Sequence, residues 1–179
     1  MKPLKEFTIP FVGLKIAKHH FEYNVEKEFF EYFEYEDFND VNIAVDVELE
    51  KKTTLLELHF KISGWVNVNC DLTNEPYNQT IENEFDLVVN FGDEYNDEHI
   101  DILIIPHGTY EINIQQYIYE LIILAVPLKR IHPGVEDGTL DSEILEKLEE
   151  LSPKLKENKD KKEDIDPRWN TLKKLLTDK

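Results

Sequence analysis

Apolar and polar side chains alternate without a break from 41 to 49. Val41, Ile43, Val45, Val47 and Leu49 share one parity, and Asn42, Ala44, Asp46 and Glu48 share the other. A period of two sends successive side chains to opposite faces, so the run predicts a half-buried strand. The polar stretch 50–53 reads as a hairpin turn. A second alternation follows, with Leu56, Leu58, Phe60, Ile62, Gly64, Val66, Val68 and Cys70 set against Glu57, His59, Lys61, Ser63, Trp65, Asn67, Asn69 and Asp71. One long strand bent at Gly64 accounts for it. A third strand places Phe85, Leu87, Val89 and Phe91 against Glu84, Asp86 and Asn90, entered through a proline turn at 74–78. An acidic loop at 92–99 then leads to a short fourth strand at 100–105.

Beyond the turn at His107-Gly108 the period changes. Ile114, Tyr117, Ile118, Leu121, Ile122 and Ala125 recur at three and four, which predicts a helix buried on one face and stopped by Pro127. At the other end of the chain, Phe7, Ile9 and Phe11 alternate around Thr8 and Pro10, which suits an edge strand broken at Gly13. Leu14, Ile16, Phe21 and Tyr23 continue extended. Asn24 is placed to cap a helix over 25–38, with Phe29, Phe30 and Phe33 inside and Glu26, Glu28, Glu31 and Glu34 outside. The stretch 132–134 reads as a loop. Asp141 or Ser142 can cap a helix carrying Ile144, Leu145, Leu148 and Leu151, ended by Ser152-Pro153.

Strands that meander, with helices before and after them, imply an α+β fold: an antiparallel sheet, or a partly closed barrel, with helices packed on one face and a short C-terminal helix. The expected organisation is an α+β domain at 1–151, a charged linker at 152–165 and a basic helix at 166–179. That last helix opens on Asp166-Pro167, a cap followed by proline at the first helical position, and carries Trp169, Leu172, Leu175 and Leu176 as one stripe.

Composition narrows the function classes. Of 179 residues, 20 are Lys or Arg and 38 are Asp or Glu, for a formal charge of −18. Such a surface repels phosphate, which excludes a protein that coats long nucleic acid. The single cysteine, Cys70, cannot build a disulfide scaffold or a cysteine-rich zinc site, and fits a reducing compartment. No run reaches the roughly 18–20 apolar residues that span a bilayer. The best candidate, 112–126, is interrupted by Asn113, Gln115, Gln116 and Glu120, and 1–14 lacks the apolar run of a secretory signal. The expectation is a soluble cytoplasmic protein, in which the Asn78-Gln79-Thr80 triplet carries no meaning as a glycosylation acceptor.

Catalytic motifs are absent: there is no glycine-rich phosphate loop, no G-x-S-x-G and no H-E-x-x-H. The six histidines are scattered, and His19 and His20, adjacent on a strand, face opposite ways and cannot share a metal there. Cys70 lies on the apolar parity, so a small core residue is preferred over a nucleophile, and Asp71 beside it is expected to raise its pKa. The acidic loop lacks EF-hand spacing. No catalytic residue, metal site or cofactor is therefore assigned. Charge is more informative. Lys2, Lys5, Lys15 and Lys18 face only Glu6 at one end, and Arg168, Lys173, Lys174 and Lys179 face only Asp178 at the other. Basic ends on an acidic body suit local phosphate contacts rather than bulk nucleic acid.

Several ordered stretches carry a family resemblance. They are Ile9-Pro10-Phe11 with Gly13-Leu14-Lys15; Gly64 onward to Cys70-Asp71-Leu72-Thr73; Glu75-Pro76-Tyr77; 112–127 with Tyr119-Glu120-Leu121; Arg130-Ile131-His132-Pro133; and Asp166-Pro167-Arg168-Trp169 followed by Leu172 and Leu175. The chain resembles the YceD family (domain of unknown function 177), and looks most like the branch found in Bacteroidetes-type bacteria. The resemblance implies a bacterial cytoplasmic protein needed for accumulation of 23S ribosomal RNA, without a known catalytic role. Many relatives carry C-x-R-C after the long strand and a cysteine cluster before the terminal D-P-R. Here Leu72 and Thr73 replace the arginine and second cysteine, and 154–166 holds no cysteine, so a zinc site does not transfer.

The resulting expectation is a non-catalytic ribosome-biogenesis factor that binds large-subunit components, precursor 23S RNA or a basic ribosomal protein, and neither membrane nor DNA. Arg168, Lys173 and Lys174 would meet phosphate, and Trp169 would either stack on a base or anchor its helix in a core. Two alternatives stand beside it: a small-ligand carrier whose strands curl around an apolar pocket, and a hydrolase using Cys70.

Overall fold

In the computed structural model, which describes residues 4–140 and 143–151, the alternating runs form the middle of one five-stranded sheet. Its strands are β2 (Lys18–Glu26), β3 (Asp40–Lys51), β4 (Leu55–Asn69), β5 (Pro76–Gly92) and β6 (Ile102–Pro106), hydrogen-bonded in that order. A separate two-stranded sheet pairs β1 (Thr8–Ile9) with β7 (Ile112–Asn113). The helices are α1 (Lys27–Tyr32), α2 (Gln115–Ala125), α3 (Pro133–Glu136) and α4 (Glu143–Leu151). The chain divides into two units, Met1–Leu145 and Glu146–Lys179. Of the second unit only the end of α4 is described; both sheets and α1 to α3 belong to the first. The fold is α+β, as expected, and the sheet is open and not a closed barrel.

The register explains the one-sided burial. Val47 sits opposite Phe60, which sits opposite Phe85, and Leu49, Leu58 and Leu87 form the next row. Matching parity across neighbouring strands puts every apolar position on one face, since a slip of one residue would turn them all to water. Ile43, Val47, Leu49, Phe60, Ile62 and Val66 are completely buried there. β4 is a single strand, and its pairing with β3 and β5 runs through Gly64 without a bulge. Glycine is required at that point by close approach: a Cβ would lie 2.3 Å from the Asn42 carbonyl oxygen and 2.7 Å from the Ile43 Cα.

Four local expectations are corrected. The fourth strand, β6, runs parallel to β5, so the sheet is not wholly antiparallel. The connection returns along the outside of β6, where Asn96 and Ile104 exchange backbone hydrogen bonds of 3.0 and 2.8 Å. The first helix is much shorter than 25–38. Val25 pairs with Ile43 and is fully buried, so sheet burial overrides Asn24 as a cap, and Glu34 adopts φ 56° to end the helix. The edge strand at 7–11 shrinks to two residues behind a 3-10 turn at Lys5–Phe7. Finally, 133–136 is a helical turn and not a loop, because the His132 ring Nδ1 accepts the Gly134 N–H at 2.9 Å.

The inner face is covered by α2, α1 and the N-terminal segment. α2 buries Ile118, Leu121 and Ile122, and Ile114 just before it is also fully buried. Phe33 stacks on Tyr119 with ring centres 4.2 Å apart, joining α1 to α2. The N-terminal segment is held by polar ties at the start of α2. The Leu4 N–H donates to Gln115 Oε1 at 2.6 Å, and the Asn113 amide donates to Thr8 Oγ1 at 2.9 Å. At the other end of the sheet, the Lys51 ammonium donates to the Phe11, Val12 and Leu14 carbonyls at 2.8, 3.3 and 2.9 Å.

Candidate functional site

Three of the stretches quoted for the resemblance, 70–73, 75–77 and 130–133, meet in one corner, although about sixty residues of sequence separate its halves. β4 ends at Asn69 and the chain turns back through Asn74, whose φ of 60° reverses it. The Cys70 N–H donates to the Glu75 carbonyl at 2.9 Å, and the Asn74 N–H donates to the Cys70 carbonyl at 2.8 Å. The turn grips the 130–132 strap. Arg130 N–H donates to Asp71 Oδ2 at 2.7 Å, Arg130 Nε lies 3.5 Å from Asp71 Oδ1, and the Asp71 N–H donates back to the Arg130 carbonyl at 2.8 Å. The His132 N–H donates to the Cys70 sulfur at 3.3 Å, and the Tyr77 ring meets the His132 ring edge-on with centres 5.4 Å apart.

Cys70 is 2% exposed and packs as a core residue, in line with its parity. Its ionisation was expected to be pushed up by Asp71; the structure gives the opposite direction. Burial pushes the thiol up, but hydrogen bonds from the Thr73 hydroxyl and from the backbone N–H groups of His132, Thr73 and Leu72 outweigh it and bring the thiol below its ordinary value. The Asp71 carboxylate is instead directed at Arg130. The sulfur is buried and ties two segments together.

The outer face of the sheet is open to solvent and carries charge. Its cross-strand rows read Lys18, Glu50, Glu57, Val88; then His20, Glu48, His59, Asp86; then Glu22, Asp46, Lys61, Glu84; then Asn24, Ala44, Ser63, Glu82; then Glu26, Asn42, Trp65, Thr80. Carboxylates supply half or more of each of the first three rows, and Lys18 and Lys61 are the lysines among them. Lys18 is bound to Glu48 at 2.7 Å, and His59 Nδ1 lies 2.6 Å from Asp86. At one end of the face, Asn39 donates to the side chains of Asn67 and Asn69, and Asn67 donates to Asn78 at 2.6 Å.

His19 and His20 do point to opposite faces of β2, as expected. His19 Nε2 lies 2.9 Å from the Lys15 carbonyl, and His20 faces Asp46 at 3.8 Å. His20, Glu22 and Asp46 bring ligand atoms within 4.8 Å of one another, a cluster of wet side chains within the acidic face. The apolar pocket sought inside a curled sheet lies elsewhere. It is a groove of about 590 Å³ between α2, β6 and the 93–101 loop. Sequence periodicity did not find it. The available signal was Leu124, an apolar residue off the buried stripe of α2 and 79% exposed. Of the sequence-derived binding residues, Arg168, Trp169, Lys173 and Lys174 lie outside the described residues, as does Lys2. Lys5 and Lys15 are exposed.

A one-sided α+β sheet with a polyanionic outer face and a pinned corner at Cys70 is thus the class of protein. The family profile described as large ribosomal RNA subunit accumulation protein YceD matches residues 58–176, from near the start of β4 onward. That span is well over half of the chain, and the chain belongs to the YceD family. No curated protein and no solved structure matches it. Among the described residues, no helix is long and apolar enough to cross a membrane.

Proposed function

We propose that this protein is a non-catalytic cytoplasmic factor in ribosome biogenesis, needed for accumulation or processing of 23S ribosomal RNA, and that it acts by binding a large-subunit precursor or ribosomal protein. Family membership supports the ribosomal setting. The observation that carries the binding mode is the outer face of the sheet, a broad surface of carboxylates with its two lysines embedded among acids. A surface of that sign attracts basic proteins and repels phosphate, so a basic ribosomal protein is the favoured direct partner. Arg168, Lys173 and Lys174 supply the few cations for RNA contact, with Trp169 available for stacking on a base.

Two measurements test this. Depletion should lower 23S ribosomal RNA and distort the large-subunit profile; normal levels would refute the assignment. Affinity capture should recover large-subunit components that persist after ribonuclease treatment, whereas loss on treatment would transfer the direct contact to RNA.

A further inference from the structure

We propose that the groove between α2 and β6 is the docking site for an amphipathic, cationic helix of a protein partner. The inference rests on the proposed function only in that the protein works by binding, and it names the kind of element bound.

The groove has a buried apolar floor made by Leu103, Ile105, Ile112 and Leu121. Phe85 and Tyr117 extend it, their rings stacked with centres 6.3 Å apart. Its walls carry apolar side chains that face water: Ile100 is 86% exposed, Leu124 79% and Tyr95 59%. On α2, Gln116, Glu120 and Leu124 succeed one another at four-residue spacing. The first two are joined by a 2.6 Å hydrogen bond, and leucine stands where the polar row would continue. Exposed aliphatic groups gathered around one groove are unfavourable in water and mark an interaction surface.

The rim decides the charge of the occupant. Asp97, Glu98, Glu111 and Glu120 border the groove, and no lysine or arginine lines it among the described residues. Burial holds the Tyr117 phenol well above its ordinary value, with Tyr95, Asp97 and Glu120 adding to the effect, so the phenol stays neutral beneath the acidic rim. An occupant apolar along its middle and cationic along its flanks satisfies both features. An amphipathic helix with lysine or arginine beside its aliphatic stripe has that pattern.

Two other occupants fit less well. A strand cannot add to the sheet at β6, because Asn96 already occupies the Ile104 N–H and carbonyl, and Pro106 has no N–H to offer. A small molecule meets the four rim carboxylates with few charges, whereas a helix about 10 Å across can present several cations beside its apolar stripe.

The test uses the full chain, labelled with nitrogen-15, and model peptides of about 18 residues. One peptide places leucines at helical spacing with lysines elsewhere, a second has the same composition scrambled, and a third replaces lysine by glutamate. The first should shift the amide signals of Tyr95, Ile100, Leu121 and Leu124 and bind about tenfold more tightly than the scrambled peptide. The glutamate peptide should not bind. Leu124→Ser combined with Ile100→Ser should weaken the first peptide about tenfold, and so should Glu111→Gln with Glu120→Gln, while Glu84→Lys on the sheet face should leave it unchanged. Equal binding of the scrambled peptide, or equal loss from Glu84→Lys, would reduce the effect to bulk charge and overturn the proposal. Dodecylammonium binding as tightly as the first peptide and displacing it would assign the groove to a small cationic amphiphile instead. The biogenesis reading is scored separately by 23S ribosomal RNA after depletion. Absence of any depletion effect refutes that reading and leaves the peptide result standing by itself.

Discussion

The two faces of the five-stranded sheet come from the same strands, one residue out of step, yet they answer to different physics. On the inner face Val47, Phe60 and Phe85 form a row in which volume and shape set the energy. On the outer face the row beside it, Glu22, Asp46, Lys61 and Glu84, remains solvated, and its energy is electrostatic and screened by salt. The inner face therefore governs stability, while the outer face sets the electrostatic field at that surface. Substitutions at adjacent positions of one strand should have effects of different size and kind.

The largest contrast is between Phe60 and Lys61. Phe60 is fully buried against Phe85 and Tyr117, so Phe60→Ala should cost about 3–5 kcal/mol in urea unfolding. Lys61→Ala should stay within about 0.5 kcal/mol. Similar losses at the two sites would break the comparison. Next comes Gly64→Ala, whose Cβ meets backbone atoms of β3 that cannot swing aside. It should cost about 2–3 kcal/mol, against a near-neutral Ser63→Ala on the opposite face. A near-neutral Gly64→Ala would mean that the two strands separate easily there.

A smaller effect is expected where a charged group serves structure. Lys51→Met removes three hydrogen bonds to the 11–14 loop and should cost about 1–2 kcal/mol, with faster hydrogen exchange at the Leu14 amide. Unchanged exchange would show that the loop holds without the ammonium.

The smallest effect belongs to the exposed Lys18–Glu48 pair. The hydrogen bond from Lys18, against a weaker opposing effect of desolvation, holds the Glu48 carboxyl below its ordinary 4.5. The same hydrogen bond raises Lys18 above 10.5. The folded carboxyl value lies below the unfolded one, so the stabilisation is present above about pH 4.5 and disappears as pH falls through the folded value. On the alkaline side it is lost as pH rises through the folded lysine value. Glu48→Gln should therefore differ slightly from the parent at neutral pH and match it in acid. A difference that persists in acid would assign the effect to packing.

Much of this arrangement was legible because it is periodic. Strict alternation in β3 and β4 identified strands, parity and the inner face, and the three-four spacing identified α2. The failures fall where a local signal competed with a distant one. Asn24 is a good cap, but Val25 gains more by pairing with Ile43 than by starting a helix. The candidate surfaces were legible unevenly. The acidity of the outer face is visible in the off-parity residues. The groove is not, because its floor joins β6, β7 and α2 while its rim combines the 93–101 loop with Glu111 and Glu120.

The sequence by itself determined which residues face inward, since side-chain alternation is a property of consecutive atoms along one chain. It also determined the excess of negative charge, which no folding changes. Tertiary structure alone decided that β6 lies parallel to β5, that Cys70 and Asp71 clasp the 130–132 strap, and that Ile100 and Leu124 flank one groove. Each of these is a meeting of segments far apart in sequence, and a one-dimensional pattern holds no record of which distant partner is closest.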